Sequence, residues 1–246
     1  MRAVAINVAA NTNEPGFRAP VRPDGSLAYL PIPESEPTAE PVPTYGDLAG
    51  RVDVPVSGRV HDRPVHLDPE FAGYPFCERY TYGDEHAVKA GPLSALAAGD
   101  YLLFYATLTV AGAADWLPPE WGAFLVGGFR LARDPVTDYD ALSDRERATF
   151  ANNAHVKRRA FDARVLIAGD PEASALYDRA VPLSEPSGGT DAGPLVTEHS
   201  NDSGRGPWWR RPLRFDADGA ERVLAAVDRA QSEGPAAVVN AGESHR

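Results

Sequence analysis

Two long apolar segments, separated by a turn or flap at residues 111–120, predict a β-hairpin at the centre of this fold. Residues 100–110 are rich in aromatic and β-branched side chains, which favour strands, and Gly99 precedes them at a turn. Residues 121–132 form a second apolar run that returns after the turn. Because the strongest pair of strands is a hairpin and not a strand–helix–strand unit, we predict an α+β fold.

Shorter patterns place further elements around this hairpin. They predict strands at 3–9, 27–31 and 164–168, and helices at 87–97 (interrupted near Pro92), 143–154, 171–180 and 219–232. Ser143 and Glu146 have the spacing of a capping box at the start of one helix. We expect a single α+β domain over residues 1–232, around a mixed, partly barrel-like β-sheet with a few peripheral helices. A PUA-like barrel is one form that such a sheet can take, by analogy of fold alone.

A proline-rich stretch over residues 31–64 interrupts these patterns. It contains seven prolines, each of which removes a backbone N–H donor and disfavours helix. We therefore predict a surface excursion, irregular except for a short helical turn at 44–49. Excursions of this length are either functional or mobile. Residues 233–246 are predicted to be a flexible tail.

The chain is acidic, with a formal net charge of −11, and its only lysines are Lys89 and Lys157. The simplest interpretation is solubility, although an acidic, lysine-poor composition also resembles that of proteins from salt-loving microbes. The charge argues against non-specific binding to duplex DNA, which needs a basic surface. Residues 205–214 contain four arginines and can still form a locally positive pocket.

Cysteine usage and hydropathy indicate the compartment. Cys77 is the only cysteine, which excludes a disulfide within the chain and a cysteine-based metal site. A single thiol fits a reducing cytosol. The apolar N-terminal stretch is too short for a signal peptide, and no segment has the length of a membrane span. We expect a cytoplasmic protein without a membrane partner; the sequence leaves its oligomeric state open.

Standard catalytic and nucleotide-binding motifs are absent from the sequence. It contains no Gly-x-Gly-x-x-Gly, Walker lysine or Gly-x-Ser-x-Gly pattern. His61, His66 and Asp68 lie close enough together for a metal site of histidine and aspartate ligands to be chemically reasonable. Because no zinc-protease spacing accompanies them, we predict no metal site, and the cofactor, if any, stays unknown.

Polar and aromatic residues on both sides of the hairpin are the candidate functional residues. His66, Asp68 and His155 are candidate catalytic residues, because imidazole transfers protons near neutral pH and a carboxylate can orient it. The candidate ligand-binding residues are Tyr80, Tyr82 and Trp209, which can stack on a base, Arg210 and Arg211, which can hold phosphate, and Asp84, one of the carboxylates beside the two tyrosines. The structural alternatives are a turn-capping Asp68 and a C-terminal clasp with Trp209 packed inside.

The order of these motifs resembles the third nucleotide modification associated domain family. The motifs are His66-Leu67-Asp68-Pro69, the Gly99-Asp100 turn before an aromatic strand, Phe129, Asn153-Ala154-His155 before an apolar strand, and Trp209-Arg210-Arg211-Pro212. The opening is similar too, with Arg18-Ala19-Pro20-Val21, Asp24-Gly25 and Leu30-Pro31-Ile32-Pro33. The similarity covers residues 7–215 and implies that the protein is associated with the modification of nucleotides or DNA bases.

Three functions follow from these observations. The first is a protein that acts on or recognises a nucleotide or modified base in a polar, aromatic pocket, which makes nucleotides or nucleic acid the expected partner. The second is a non-enzymatic reader of a modified, flipped base. The third is a structural or regulatory partner, which is favoured if the excursion at 31–64 covers the pocket. The first two require distant segments to line one cavity.

Overall fold

A computed structural model describes residues 1–243 of the chain. Within these residues the strands are β1 (Ala3–Asn7), β2 (Pro20–Val21), β3 (Thr81–Asp84), β4 (Tyr101–Val110), β5 (Trp121–Arg130), β6 (Val165–Ala168), β7 (Ala175–Pro182) and β8 (Leu213–Phe215). The helices are α1 (Tyr45–Leu48), α2 (Ala87–Ser94), α3 (Asp144–Arg147), α4 (Ala154–Lys157), α5 (Pro194–Thr197), α6 (Ala217–Glu233) and α7 (Ala236–Glu243). A short 3-10 helix covers Trp208–Arg210.

The predicted hairpin, β4 and β5, is the centre of a mixed sheet. The sheet has the order β7-β5-β4-β1-β8, in which β1 is parallel to β4 and β5 is antiparallel to it. β2 also pairs with β4, in parallel, beyond the end of β1. The mixed α+β prediction is therefore confirmed. Within residues 1–243 the edge strands β7 and β8 do not pair with each other, so the sheet is open and the barrel-like form is not confirmed.

Side-chain alternation gives the central sheet two buried faces. On the face that we call the first face, Ile6, Phe104 and Phe129 contribute to one hydrophobic core. On the opposite, second face, Leu103 and Tyr105 pack in a separate core with the apolar side of α6. Consecutive residues of a strand point to opposite faces, so neighbours such as Leu103 and Phe104 belong to different cores.

A second, two-stranded sheet lies on the first face. It consists of β3 and β6, which are antiparallel, with Thr81 opposite Ala168 and Asp84 opposite Val165. Tyr82 and Ile167 belong to the core of the first face, so the small sheet is packed against the large one. Because the two strands are antiparallel, the segment that follows β3 and the segment that precedes β6 lie next to each other.

The proline-rich excursion folds against the molecule and contains the predicted helical turn, which is α1. Thr44 caps this helix in a capping box with Asp47. Further along, backbone hydrogen bonds from Ala39 to Lys157 and from Arg159 to Pro37 attach the excursion to α4. The excursion is therefore placed directly over the α4 region.

Several local predictions are wrong where tertiary pairing overrides the local pattern. Residues 171–180 do not form a helix, because β7 covers most of them and pairs with β5. The helix predicted at 143–154 is limited to α3, with the predicted Ser143–Glu146 capping box, and the first residue of α4, separated by turns. Residues 27–31 make only an isolated bridge, and α2 continues through Pro92.

The C-terminal region contains α7 where the sequence predicts a tail. Val238 and Val239 of this helix pack against the two cores. Flexibility of residues 233–246 is a statement about motion, so it stays a prediction. Residues 244–246 lie outside the described residues. No helix in residues 1–243 combines the length and the apolar character that a membrane crossing requires.

Candidate functional site

The three predicted catalytic residues meet on the first face of the sheet. His155 Nε2 lies 3.6 Å from Asp68 Oδ2, and His66 Nε2 lies 4.0 Å from the same oxygen. The two imidazole rings are nearly perpendicular, with centroids 4.9 Å apart. We call His66, Asp68 and His155 the histidine–aspartate cluster. Residues that are distant in the sequence therefore face a common point.

Each histidine of the cluster is held on its far side by a carboxylate. His66 Nδ1 is 2.7 Å from Glu34 Oε2, and His155 Nδ1 is 2.7 Å from Asp162 Oδ1. A carboxylate at Nδ1 selects the tautomer that carries its proton there, which leaves Nε2 with a free lone pair. We call Glu34 and Asp162 the outer carboxylates. Their position means that both Nε2 atoms face Asp68 as acceptors when the rings are neutral.

Arg158 joins the two outer carboxylates from within the protein. Its Nη2 donates to Glu34 Oε1 at 2.9 Å, and its Nη1 donates to Asp162 Oδ2 and to Glu85 Oε2, both at 2.5 Å. Burial alone would lower the pKa of Arg158, but the two outer carboxylates raise it above its ordinary value. The excursion, the end of β3 and the segment after α4 are thus connected through one guanidinium group.

Asp68 is held in place by two donors. The backbone N–H of Gly83 lies 3.1 and 3.0 Å from its two carboxylate oxygens, and Asn153 Nδ2 donates to Oδ1 at 2.8 Å. Asn153 also caps α4, which carries His155. Burial raises the pKa of the Asp68 carboxyl well above its usual value, and these hydrogen bonds oppose that shift.

Electrostatics keep His155 neutral and Glu34 ionised near pH 7. Burial, followed by repulsion from His66 when that ring is protonated and by the charge of Arg158, lowers the pKa of His155 to about 4, although its bond to Asp162 acts in the opposite direction. Burial would raise the pKa of Glu34, but its hydrogen bond and electrostatic interaction with His66, with donors from Glu36 and Arg158, lower it to about 2. The cluster therefore contains an uncharged imidazole, that of His155, and a negatively charged outer carboxylate, Glu34, lies beside it.

The cluster is almost closed to solvent. His66, Asp68 and His155 are 5%, 6% and 4% exposed. The side chains of Glu85 and Asp162 are partly exposed and form its rim. A neighbouring buried carboxylate, Glu70, is fully used in structural bonds to backbone N–H groups, Thr81 and Asn152. The Nε2 atoms of the cluster have no such partners within residues 1–243.

The predicted ligand-binding residues in and just before β3 lie close to the cluster, but their side chains pack against the protein and are not presented to a ligand. The Tyr82 hydroxyl donates to Asp84 Oδ2 at 2.7 Å, and both residues are buried. Burial, then the charge of Asp84, raises the pKa of Tyr82 well above its usual value. Tyr80 is half-buried and packs edge-to-face on Phe129, with ring centroids 5.6 Å apart. These two tyrosines are engaged by neighbouring residues of the protein, and neither presents a free ring face to the cluster.

Trp209, Arg210 and Arg211 lie away from the cluster, in the region of the second face. The Trp209 ring contacts Trp121 at 5.4 Å between centroids and packs on the second core. Arg211 makes a two-point ion pair with Asp202, with a shortest N–O distance of 3.0 Å. The single shared pocket expected from the sequence is therefore not formed, because the central sheet separates the two groups. Arg211 instead lines a surface cavity of about 490 Å³ next to α2.

Four residues at the site were not predicted from the sequence: Glu34, Glu85, Arg158 and Asp162. Asn153 was named only as part of the motif that ends at His155. Glu34 is part of the proline-rich excursion, and nothing in its neighbourhood indicates a role in a site 32 residues away. Arg158 and Asp162 follow His155 by three and seven positions, which is the only local pattern that relates them. The interactions that reveal them are long-range and require the folded chain.

Two groups of side chains here have the geometry to hold a metal ion. The first is the histidine–aspartate cluster, and the second consists of Glu85, His155 and Asp162. In each group the donor atoms lie within 4.8 Å of one another. In the second group, Glu85 Oε2 and Asp162 Oδ2 already form ion pairs with the guanidinium of Arg158.

One comparison with known proteins gives a match. The family model described as nucleotide modification associated domain 3 matches residues 2–225, a range that contains the whole cluster, the outer carboxylates and Arg158. No curated protein and no solved structure matches the chain.

Proposed function

The chain belongs to the nucleotide modification associated domain 3 family, and from this premise we propose that it acts on a nucleotide or a DNA base at the histidine–aspartate cluster. The observation that carries the proposal is the orientation of the two imidazoles. His66 and His155 present their Nε2 atoms to the same oxygen of Asp68, while carboxylates hold their Nδ1 atoms. The arrangement brings two ring nitrogens and one carboxylate oxygen to a common point.

The residues of the cluster suit proton transfer on a substrate. A neutral imidazole with a free Nε2 accepts a proton, and a fixed carboxylate stabilises the cation that results. Asp68 stands between the two rings and can serve either of them. Glu85 and Asp162 are the partly exposed side chains beside the cluster. A ligand that approaches past these carboxylates meets acidic groups, which favours the uncharged base over the phosphate of a nucleotide.

The compartment that we propose is the cytoplasm. The single cysteine, Cys77, is buried and free, and burial raises its pKa to about 12, which disfavours the reactive thiolate. Nucleotides and nucleic acid are available substrates there. No oligomeric state is needed for the cluster, because one chain supplies all of its residues.

A structural or regulatory role is the second candidate, and the excursion favours it. Glu34 of the excursion binds both His66 and Arg158, and the backbone at residues 37–39 pairs with α4. The excursion thus covers one side of the cluster. If the cluster serves only to attach the excursion, the protein binds a partner without turnover.

Turnover of defined substrates distinguishes these functions. The purified protein is incubated with nucleotides and with unmodified and modified DNA oligonucleotides, and the products are followed by mass spectrometry. We expect Asp68→Asn and His155→Gln to lower any product formation by about 100-fold or more, as for loss of a proton-transfer group. His61→Gln is the matched control, because His61 is exposed and lies outside the cluster.

Two results would contradict the proposal. One is unchanged product formation in folded Asp68→Asn and His155→Gln. The other is stable binding of a modified oligonucleotide without product, which supports the reader function. Binding that Arg211→Ala abolishes would place the reader site in the cavity of the second face.

A further inference from the structure

We propose that His66 Nε2, His155 Nε2 and Asp68 Oδ2 form a binding site for one divalent transition-metal ion. The ion would be bound by two imidazoles and one carboxylate from a single chain. Binding of an ion does not depend on the proposed reaction, so it can be tested without any nucleotide.

The distances suit a common ion. Ligands about 2.0–2.2 Å from a tetrahedral or octahedral metal ion are separated from one another by roughly 3.0–3.5 Å. The separations from Asp68 Oδ2 are 3.6 Å to His155 Nε2 and 4.0 Å to His66 Nε2, and one donor atom from each of the three residues lies within 4.8 Å of the other two. Small side-chain rotations bring the three atoms to one centre.

The two Nε2 atoms are available to such an ion. Neither has a hydrogen-bond partner in the part of the chain that the structure describes, and both separations from Asp68 exceed hydrogen-bonding distance. Both point at the same carboxylate oxygen, so one shared ligand can engage all three atoms.

The surroundings have the features of an outer coordination shell. Metal-binding histidines usually donate their second N–H to a carboxylate, which fixes the ring and increases its basicity. Glu34 and Asp162 take this role for the two rings, and Arg158 holds both of these carboxylates in place. Gly83 and Asn153 orient Asp68 in the same way.

The local charge also favours a cation. Four carboxylates, Glu34, Asp68, Glu85 and Asp162, surround the two rings, and Arg158 is the cation that contacts three of them. Buried negative charge that is not balanced is costly, and a divalent ion at Asp68 would balance it. A bound ion would also reduce the repulsion that this site exerts on a nucleotide's phosphates.

The donor set decides the class of metal. Two imidazoles and one carboxylate suit zinc, iron(II), cobalt(II) or manganese(II), whereas magnesium and calcium prefer sites made of oxygen ligands. Three ligands from the protein leave coordination positions free. The site is therefore of the open type that can also bind water or a substrate atom.

Calorimetric titration of the chelator-treated full chain tests the proposal. The probes are ZnCl2, CoCl2 and MgCl2, and the visible spectrum of bound cobalt(II) reports its ligands. We expect one zinc or cobalt ion per chain and much weaker magnesium binding. Asp68→Asn and His66→Gln should lower the affinity for zinc by more than about 100-fold, and Glu34→Gln by about 10–100-fold, as for loss of an outer-shell carboxylate. His61→Gln should bind as the wild type does.

Further measurements keep the proposal testable if a variant does not fold. Zinc should raise the melting temperature of the wild-type chain, because it binds the folded state. Anomalous scattering from crystals of the zinc-loaded wild type should place the ion between the two Nε2 atoms. The proposal is overturned if no transition-metal ion binds saturably, or if folded Asp68→Asn retains wild-type affinity. It is also overturned if Glu85→Gln weakens binding more than Asp68→Asn does, since the ion would then occupy the other group.

Activity and metal binding can fail separately. A chain that binds zinc at the cluster but converts no nucleotide supports this inference and contradicts the proposed function. A chain that converts nucleotides equally well after chelation, with no ion bound, supports the proposed function and contradicts this inference.

Discussion

Gly83 shows how closely the backbone approaches the cluster. Its N–H donates to Asp68, and a Cβ atom at this position would lie 2.7 Å from His155 Cδ2 and 3.1 Å from Asn153 Oδ1. Its φ is not positive, so the requirement for glycine is one of space and not of backbone conformation. The residue type at position 83 therefore sets the distance between β3 and α4.

Substitution of Gly83 by alanine should destabilise the fold and disturb the cluster. We expect Gly83→Ala to lower the free energy of unfolding by about 1–3 kcal/mol, because the added methyl group must displace the His155 ring. Urea unfolding measures this change. Gly58→Ala is the control: a methyl group on Gly58 would meet no other atom within 4 Å, so its effect should be near zero. Equal effects at the two glycines would contradict the steric argument.

Asp100 is a second residue whose side chain stabilises the fold, here through the charge of its carboxylate. It accepts hydrogen bonds from the backbone N–H groups of Arg2 and Ala97 and from the Arg2 side chain. Burial would raise the pKa of Asp100, but these donors lower it below its usual value. The residue thereby connects the start of β1 to the start of β4.

The lowered pKa of Asp100 predicts a pH-dependent contribution to stability. A carboxyl whose pKa is lower in the folded state stabilises the fold above its unfolded pKa of about 3.9, and this contribution is lost as the pH falls through the folded pKa. Asp100→Asn should cost about 1–3 kcal/mol at pH 7, and the difference from wild type should shrink below about pH 4. Urea titrations at several pH values test this. The Asp115→Asn variant, at a position without such donors in the described chain, should leave the free energy of unfolding at pH 7 close to that of the wild type.

At the scale of elements, α4 is attached to the rest of the protein through Arg158. Three segments that are distant in sequence supply its partners: Glu34 in the excursion, Glu85 after β3 and Asp162 before β6. The neighbouring Arg159 is exposed, and its side chain donates to the backbone carbonyl of Thr38. Two adjacent arginines therefore have opposite environments.

This contrast predicts unequal costs of removing the two arginines. Arg158→Ala leaves the buried carboxylate of Glu34 and two partly exposed carboxylates without a cation and should cost about 3–5 kcal/mol of unfolding free energy. Arg159→Ala, the matched control on the same segment, should cost less than about 1 kcal/mol, as exposed charge contacts do. Chemical unfolding of both variants measures the difference. A cost below about 1 kcal/mol for both would mean that Arg158 does not hold the excursion to α4.

At the scale of the whole molecule, the formal net charge of −11 acts on the fold through self-repulsion. Repulsion between exposed carboxylates is screened by salt, since the Debye length falls from about 10 Å at 0.1 M to about 3 Å at 1 M. The adaptation to high salt that the composition suggests stays a prediction.

Salt should therefore stabilise this protein near neutral pH. We expect the urea midpoint at pH 7 to rise when KCl is increased from about 0.1 M to about 1 M, because screening weakens the repulsion in the compact state. The control is the same comparison near pH 5, close to the sequence pI of about 5.0, where the increase should be smaller. A midpoint that falls with KCl at pH 7, or an equal rise at both pH values, would contradict this explanation.

The sequence by itself determined the elements that depend on neighbouring residues. The hairpin of β4 and β5 follows from strand propensity, and α6 follows from its amphipathic pattern. The capping box at Ser143 is a contact between residues three positions apart, so it can be recognised locally. His66, Asp68 and His155 were identified by residue type and by their order along the chain.

Only the tertiary structure decided which of these residues meet. Glu34 reaches His66 across 32 positions and Arg158 across 124, and such contacts leave no periodic trace in the sequence. The face of the sheet on which a residue lies is also decided only by the folded chain. The central sheet separates Trp209 and Arg211 from the cluster. For the same reason β7 is a strand, because its pairing with β5 satisfies backbone groups that a local helix pattern cannot anticipate.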